Sequence, residues 1–142
     1  MSDCTFCEIL AGRLPSSVVY QDEQCSSFLD IQPVNPGHLL IVPNRHAAFL
    51  AELDAETGAQ MFRIAQSLAQ ALRRSEIRCE GVKLFLADGE AAMQEIFHVH
   101  LHVFPRFRGD GFGLKFSPAY FQKPPRAELD TVAEKIRNAI KW

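Results

Sequence analysis

The run His98-Val99-His100-Leu101-His102-Val103 constrains this chain more than any other six residues in it. Successive side chains of an extended strand point to opposite faces, so the three histidines share one face and Val99, Leu101 and Val103 share the other. An apolar face at that period belongs against a core. A row of imidazoles suits neither core nor solvent surface, since buried positions favour apolar groups and exposed ones favour charge. Three of the five histidines lie in this run, so it predicts a site as well as a sheet.

Two chemistries use such a row. Alternate histidines can share a metal ion, or one neutral imidazole can attack a substrate that its neighbours hold. At about 3.3 Å per residue, His98 and His102 stand roughly 13 Å apart on a straight strand. Metal–nitrogen bonds near 2 Å do not gather both ends onto one ion. The row is therefore expected to divide between two jobs.

Around it, turn residues punctuate short β-branched and aromatic segments. Strands are expected at Val18-Val19-Tyr20, Ser26 to Ile31, His38 to Val42, Val82 to Ala87 and Phe97 to Phe104, the last stopped by Pro105. Asp54 reads as an N-cap, and Met61, Ile64, Ala65, Leu68, Ala69 and Leu72 recur at helical spacing to about Arg74. Leu129, Val132, Ala133, Ile136 and Ile140 mark a C-terminal helix, and both helical stripes read as core. The expected class is α+β, an antiparallel sheet with one long and one C-terminal helix, in a single domain over residues 1–142.

Composition limits the partners. The net charge is −2 and no Lys or Arg run exceeds two residues, which argues against gripping a nucleic-acid backbone. No apolar stretch has the length of a membrane span, and Met1-Ser2-Asp3-Cys4 lacks the basic and apolar regions of a secretory leader. A cytoplasmic location is expected. The four cysteines then stay reduced, and Cys4-x-x-Cys7 is half of a metal site or a redox pair rather than a structural disulfide. Arg108-Gly109-Asp110 spells an adhesion tripeptide that such a location discounts, and the phenylalanines from Phe104 to Phe121 read as packing residues.

Taken in order, Cys4-Thr5-Phe6-Cys7, Phe28-Leu29-Asp30-Ile31, Pro33-Val34-Asn35-Pro36-Gly37-His38, Ile41-Val42-Pro43 with His46, and Gln94 with His98 to Val103 resemble the histidine triad family. The likeness is to its small hydrolase branch and covers most of the chain. It implies a five-stranded antiparallel sheet with two helices, a homodimer, and cleavage at the α-phosphate of nucleoside phosphoramidates or dinucleoside polyphosphates. By that resemblance His100 is the nucleophile, forming a nucleotidyl-imidazole that water cleaves. His102 and His38 bind the α-phosphate, Asp30 accepts the ribose hydroxyls, and Gly89 and Gln94 contact substrate. His102, where the transferase branch has Gln, points to hydrolysis.

In some bacterial members the cysteine pair joins two histidines, here His46 and His98, in a closed tetrahedral zinc site. That implies structural zinc and no catalytic metal. The family usually carries Asn or Gln, Gly, and Ser or Thr where this chain has Ala87, Met93 and Glu95, which implies a weaker or substrate-shifted enzyme. Two other readings remain open at this point. One is a zinc-dependent hydrolase with the metal on the triad; the other is a nucleotide-binding adaptor.

Overall fold

A computed structural model describes residues 3–142; Met1 and Ser2, at the head of the segment read for a leader, lie outside the described residues. The chain forms two compact units, one up to Gly111 and one from Phe112 to Trp142.

The first unit contains a short helix α1 (Thr5–Leu10), strands β1 (Val18–Gln21), β2 (Cys25–Leu29) and β3 (Leu39–Pro43), the long helix α2 (Ala55–Arg74), and strands β4 (Gly81–Phe85) and β5 (Leu101–Arg106). The strands make one sheet in the order β1-β2-β3-β5-β4, with every neighbouring pair antiparallel.

Asp54 caps α2 as its composition predicts, its carboxylate accepting the Thr57 N–H at 3.1 Å. Met61, Ile64, Ala65, Leu68 and Leu72 are buried, and they pack on Cys25, Leu39, Ile41 and Val103 from the sheet and on Val99 just before β5. Each larger side chain in that layer contributes roughly 1.5–3 kcal/mol. Alternation along β2 and β3 sends Phe28, Leu40 and Val42 to the opposite face, where Phe6 of α1 covers them.

Three expectations need correction. The strand placed over Phe97–Phe104 begins only at Leu101 and runs through Pro105 to Arg106, so His98 and His100 precede it. Pro105 does not stop β5. The Arg106 carbonyl accepts from Glu80 N–H at 2.8 Å, so Pro105 faces the other side, beyond the last β3 pair at Leu39↔Val103. No ladder donor is required of it there, and its carbonyl accepts from Asn35 Nδ2 at 2.9 Å. Second, there are three helices rather than two, because α1 follows a Cys4 cap that accepts the Cys7 N–H at 3.4 Å.

Third, the C-terminal helix α3 (Arg126–Ala139) forms, yet none of its residues is buried. Its stripe of Leu129, Val132 and Ile136 is exposed. A unit of this length is too short to enclose a core. Beside it, Phe116 stacks on Tyr120 with ring centroids 3.9 Å apart, and Phe121 is exposed, whereas Phe104 of the first unit is buried. Among the described residues no helix is long and apolar enough to cross a membrane.

The turn into β3 places the first site residue. Gly37 adopts φ +97, and a Cβ there would meet Ile77 Cγ2 at 2.8 Å and Leu72 and Pro105 at 3.3 Å. Asn35 ties this turn to β5 and to Asp110, whose carboxylate also pairs with Arg106 at 2.6 Å. The tripeptide at residues 108–110 is thus partly inside the fold.

Candidate functional site

Hydrogen bonds to the main chain assign the protons of His98, His100 and His38, and a bond from His38 assigns that of His102. His98 Nε2 lies 2.8 Å from the Pro43 carbonyl. A carbonyl only accepts, so Nε2 carries the hydrogen and Nδ1 presents a lone pair. That Nδ1 lies 3.3 Å from Cys4 Sγ, 3.5 Å from Cys7 Sγ and 3.2 Å from His46 Nδ1. Cys7 Sγ lies 3.3 Å from His46 Nδ1.

Four donor atoms thus converge, all within 4.8 Å of one another. Bonds near 2.0–2.1 Å to nitrogen and 2.3 Å to sulfur give tetrahedral edges of about 3.3–3.8 Å. The four spacings above, 3.2–3.5 Å, lie close to that figure, and a lone-pair nitrogen aimed at thiols and a second imidazole suits a soft divalent ion. The Pro43 carbonyl fixes the His98 ring from behind, the second partner that a metal-binding histidine needs. Cys4, Cys7, His46 and His98 therefore fit zinc, and they leave no open position.

His100 is the next ring. Its Nδ1 donates to the His98 carbonyl at 2.7 Å, which leaves Nε2 unprotonated. The ring is buried, and Phe6 stands edge-on to it at 5.0 Å between centroids. Burial lowers its proton affinity, against smaller raising effects from the His98 carbonyl and the carboxylates of Asp30 and Glu95. Near pH 7 this is a neutral imidazole with a free lone pair, the form a nucleophile needs.

His38 and His102 form a directed pair. Val34 N–H donates to His38 Nδ1 at 3.1 Å, so the His38 proton sits on Nε2. That nitrogen faces His102 Nδ1 at 2.8 Å and donates to it, which puts the His102 proton on Nε2. The chain of bonds ends in a donor. Burial, and then the neighbouring rings of His100 and His38, push His102 down to about 4. Burial also lowers His38, against the raising effect of Asp30. Asp30 Oδ2 lies 3.6 Å from His38 Nε2, and its other oxygen accepts the Gln32 N–H at 2.8 Å.

Asp30, His38 and His102 also converge within 4.8 Å. The tautomer opposes a metal there, because the His38 atom that faces the cluster carries a proton. Of the other expected contacts, Gln94 is buried and commits its amide to the loop. Its Oε1 accepts Gly89 N–H at 2.8 Å, and its Nε2 donates to Ala48 O at 2.8 Å and Ile96 O at 3.2 Å. Ala87 is buried, and Met93 is exposed at a left-handed φ of 69. Glu95 lines a cavity of about 450 Å³ with Asp3, Thr5, His46 and Phe97. That cavity borders the cysteine cluster rather than the His38–His102 pair.

Sequence reasoning missed Phe6 and the backbone groups of Val34, Pro43 and His98. An apolar residue between the two cysteines is a signal for Phe6. The backbone groups carry none, since every residue has them.

These features have relatives. A crystal structure of a member of the HIT family of proteins from Bacillus subtilis superposes with a TM-score of 0.86 at 36% identity, covering 99% of each chain. A Zn-bound histidine triad family protein from Mycobacterium smegmatis gives a TM-score of 0.75 at 34% identity, over 97% of this chain and 98% of that one. Adenylylsulfatase HINT3 of Arabidopsis thaliana is 34% identical over 109 residues, which cover 77% of this chain and 55% of that protein. Residues 11–109 match the HIT domain, and on that match this chain belongs to the HIT, or histidine triad, family.

Proposed function

We propose that this chain hydrolyses nucleotides at the α-phosphate, releasing an amine or a phosphate-linked leaving group, through a nucleotide carried covalently on His100. The observation that carries this reading is the tautomer assignment: His100 offers a lone pair at Nε2 while His102, one ring centroid 4.9 Å away, ends a donor chain. Nε2 attacks phosphorus, the new P–N bond forms, and the bond to the leaving group breaks with its electron pair, an amine taking up a proton from water as it departs. The His102 Nε2–H faces negative charge that grows on the phosphate oxygens. Water then attacks the adduct, breaks the P–N bond and frees a nucleoside monophosphate.

Asp30 accepts the ribose hydroxyls in this reading, since a carboxylate suits two neighbouring donors. Gly89 and Gln94 hold the loop that borders the phosphate. The four-ligand cluster would hold structural zinc, supplying cross-linking between α1 and the entry to β5. The chain acts as a homodimer in the cytoplasm. A relative named as an adenylylsulfatase supports an adenylyl group as the portion retained on the enzyme.

The test is a rapid denaturant quench at alkaline pH, where a P–N bond to imidazole survives, followed by peptide mass spectrometry. A mononucleotide on His100 with adenosine phosphoramidate as substrate is the expected result. Turnover with no adduct, and an active His100→Ala protein, would instead indicate a metal-assisted hydrolase. Binding without turnover or adduct would indicate an adaptor.

A further inference from the structure

The nucleophile and the cysteine–histidine cluster share a residue and a wall. His98 gives its Nδ1 to the cluster and its carbonyl to His100 Nδ1–H. Phe6 stands edge-on to His98 at 5.8 Å, to His100 at 5.0 Å and to Phe28 at 5.6 Å between ring centroids. Phe6 is carried by α1, flanked by Cys4 and Cys7.

Neither part holds its place by regular structure. A helix of six residues is far below the length that stands alone in water. His98 and His100 precede β5, so no strand ladder fixes their backbone; between them Val99 packs in the core and its N–H is tied to Ala47 O at 2.8 Å. The His98 ring also holds this stretch, since Pro43 O grips it at one nitrogen and the cluster lies at the other.

We propose that His98 and Phe6 are positioning residues that make the attack geometry of His100 depend on closure of the Cys4–Cys7–His46–His98 cluster. This rests on the reading of His100 as nucleophile. With the cluster open, α1 loses both sulfur anchors, Phe6 leaves the His100 ring, and the His98 carbonyl loosens its hold on Nδ1–H. The imidazole then rotates and exchanges tautomers. A displacement near 1 Å at a reacting atom costs on the order of 10²-fold, so attack slows before the domain unfolds. The cluster is thereby a condition for chemistry as well as a cross-link.

The experiment compares protein loaded with zinc, protein stripped by a chelator, stripped protein given zinc again, and zinc-loaded Phe6→Leu. Two readouts are taken on each: the single-turnover rate of adduct formation beside KM, and the His100 Nδ1–H resonance in proton NMR. Loaded protein is expected to show a slowly exchanging, hydrogen-bonded proton. Stripping is expected to erase that signal and slow adduct formation tenfold or more, with KM changed less than threefold, and zinc is expected to restore both. Phe6→Leu is expected to keep its zinc and still slow the adduct step. A folded stripped protein that keeps the resonance and the wild-type rate overturns the proposal, as does wild-type behaviour in zinc-loaded Phe6→Leu. Should stripping unfold the protein, the Phe6→Leu arm decides. If loaded wild type forms no adduct, the reading of the reaction fails, and the resonance alone decides the coupling.

Discussion

Replacing Gly37 by Ala tests how the turn before His38 sets the phosphate pair. Two costs follow from the structure. A φ of +97 lies where an L side chain pays about 1–2 kcal/mol. The new methyl also meets Ile77 Cγ2 at 2.8 Å and Leu72 Cδ2 and Pro105 Cγ at 3.3 Å, and overpacking of that kind costs about 1–3 kcal/mol. Their sum is about 2–5 kcal/mol, a large share of a total stability of roughly 5–15 kcal/mol. Ile77 is 38% exposed and can yield, whereas Leu72 is 6% exposed and cannot. Urea denaturation of wild type, Gly37→Ala, Ile77→Ala and the double variant reads these parts separately. Measured against Ile77→Ala, the double variant is expected to lose at least about 1 kcal/mol, the backbone share that relieving the contact cannot restore. Nucleoside monophosphate affinity is expected to fall in Gly37→Ala, because His38 follows directly. A Gly37→Ala protein within about 0.5 kcal/mol of wild type, or full recovery in the double variant, refutes the reasoning.

Four further outcomes are expected. His100→Asn abolishes turnover while leaving the urea midpoint and mononucleotide binding near wild type; retained turnover would falsify the nucleophile assignment. Elemental analysis of protein never exposed to chelators finds about one zinc per chain, and Cys7→Ser loses it; protein without zinc refutes the ligand set. His102 falls from 6.5 to about 4 on folding, so its stabilising contribution is complete above pH 6.5 and is lost as pH falls through that window toward 4. Acidification should destabilise the protein by up to about 1.4 kcal/mol per pH unit for such a group, and His102→Gln should show a shallower pH dependence; an unchanged slope counts against burial as the cause. Sedimentation at micromolar concentration should give twice the 16.0 kDa of one chain, and a single-chain mass would overturn the dimer.

Legibility tracked the physics behind each feature. The face of Val99 and Val103, the cap at Asp54 and the α2 stripe were readable because period and capping chemistry are local. The convergence of Cys4, Cys7, His46 and His98 came from the resemblance, since nothing at sequence level relates Cys4 to His98 across 94 positions. The start of β5 was not readable, because an alternating pattern continues through Val99 whether or not a ladder partner exists beside it. Pro105 misled for the same reason, as a missing N–H matters only where a neighbouring strand needs one. For α3 the helical period was right and its burial wrong, because period reports that a helix has an apolar side without saying what covers it.

The identities of three of these imidazoles are written by peptide groups that never titrate. Val34 N–H, the Pro43 carbonyl and the His98 carbonyl assign the protons of His38, His98 and His100. The division of labour among chemically identical rings is therefore an address given by the main chain, and it persists across the pH range in which those rings stay neutral. The side chain at 34 can vary as long as its peptide group stays in place, whereas that of Pro43 is itself fully buried. Proline at 34 is the exception: without its N–H the His38 ring has no fixed polarity, and the donor that ends at His102 points either way.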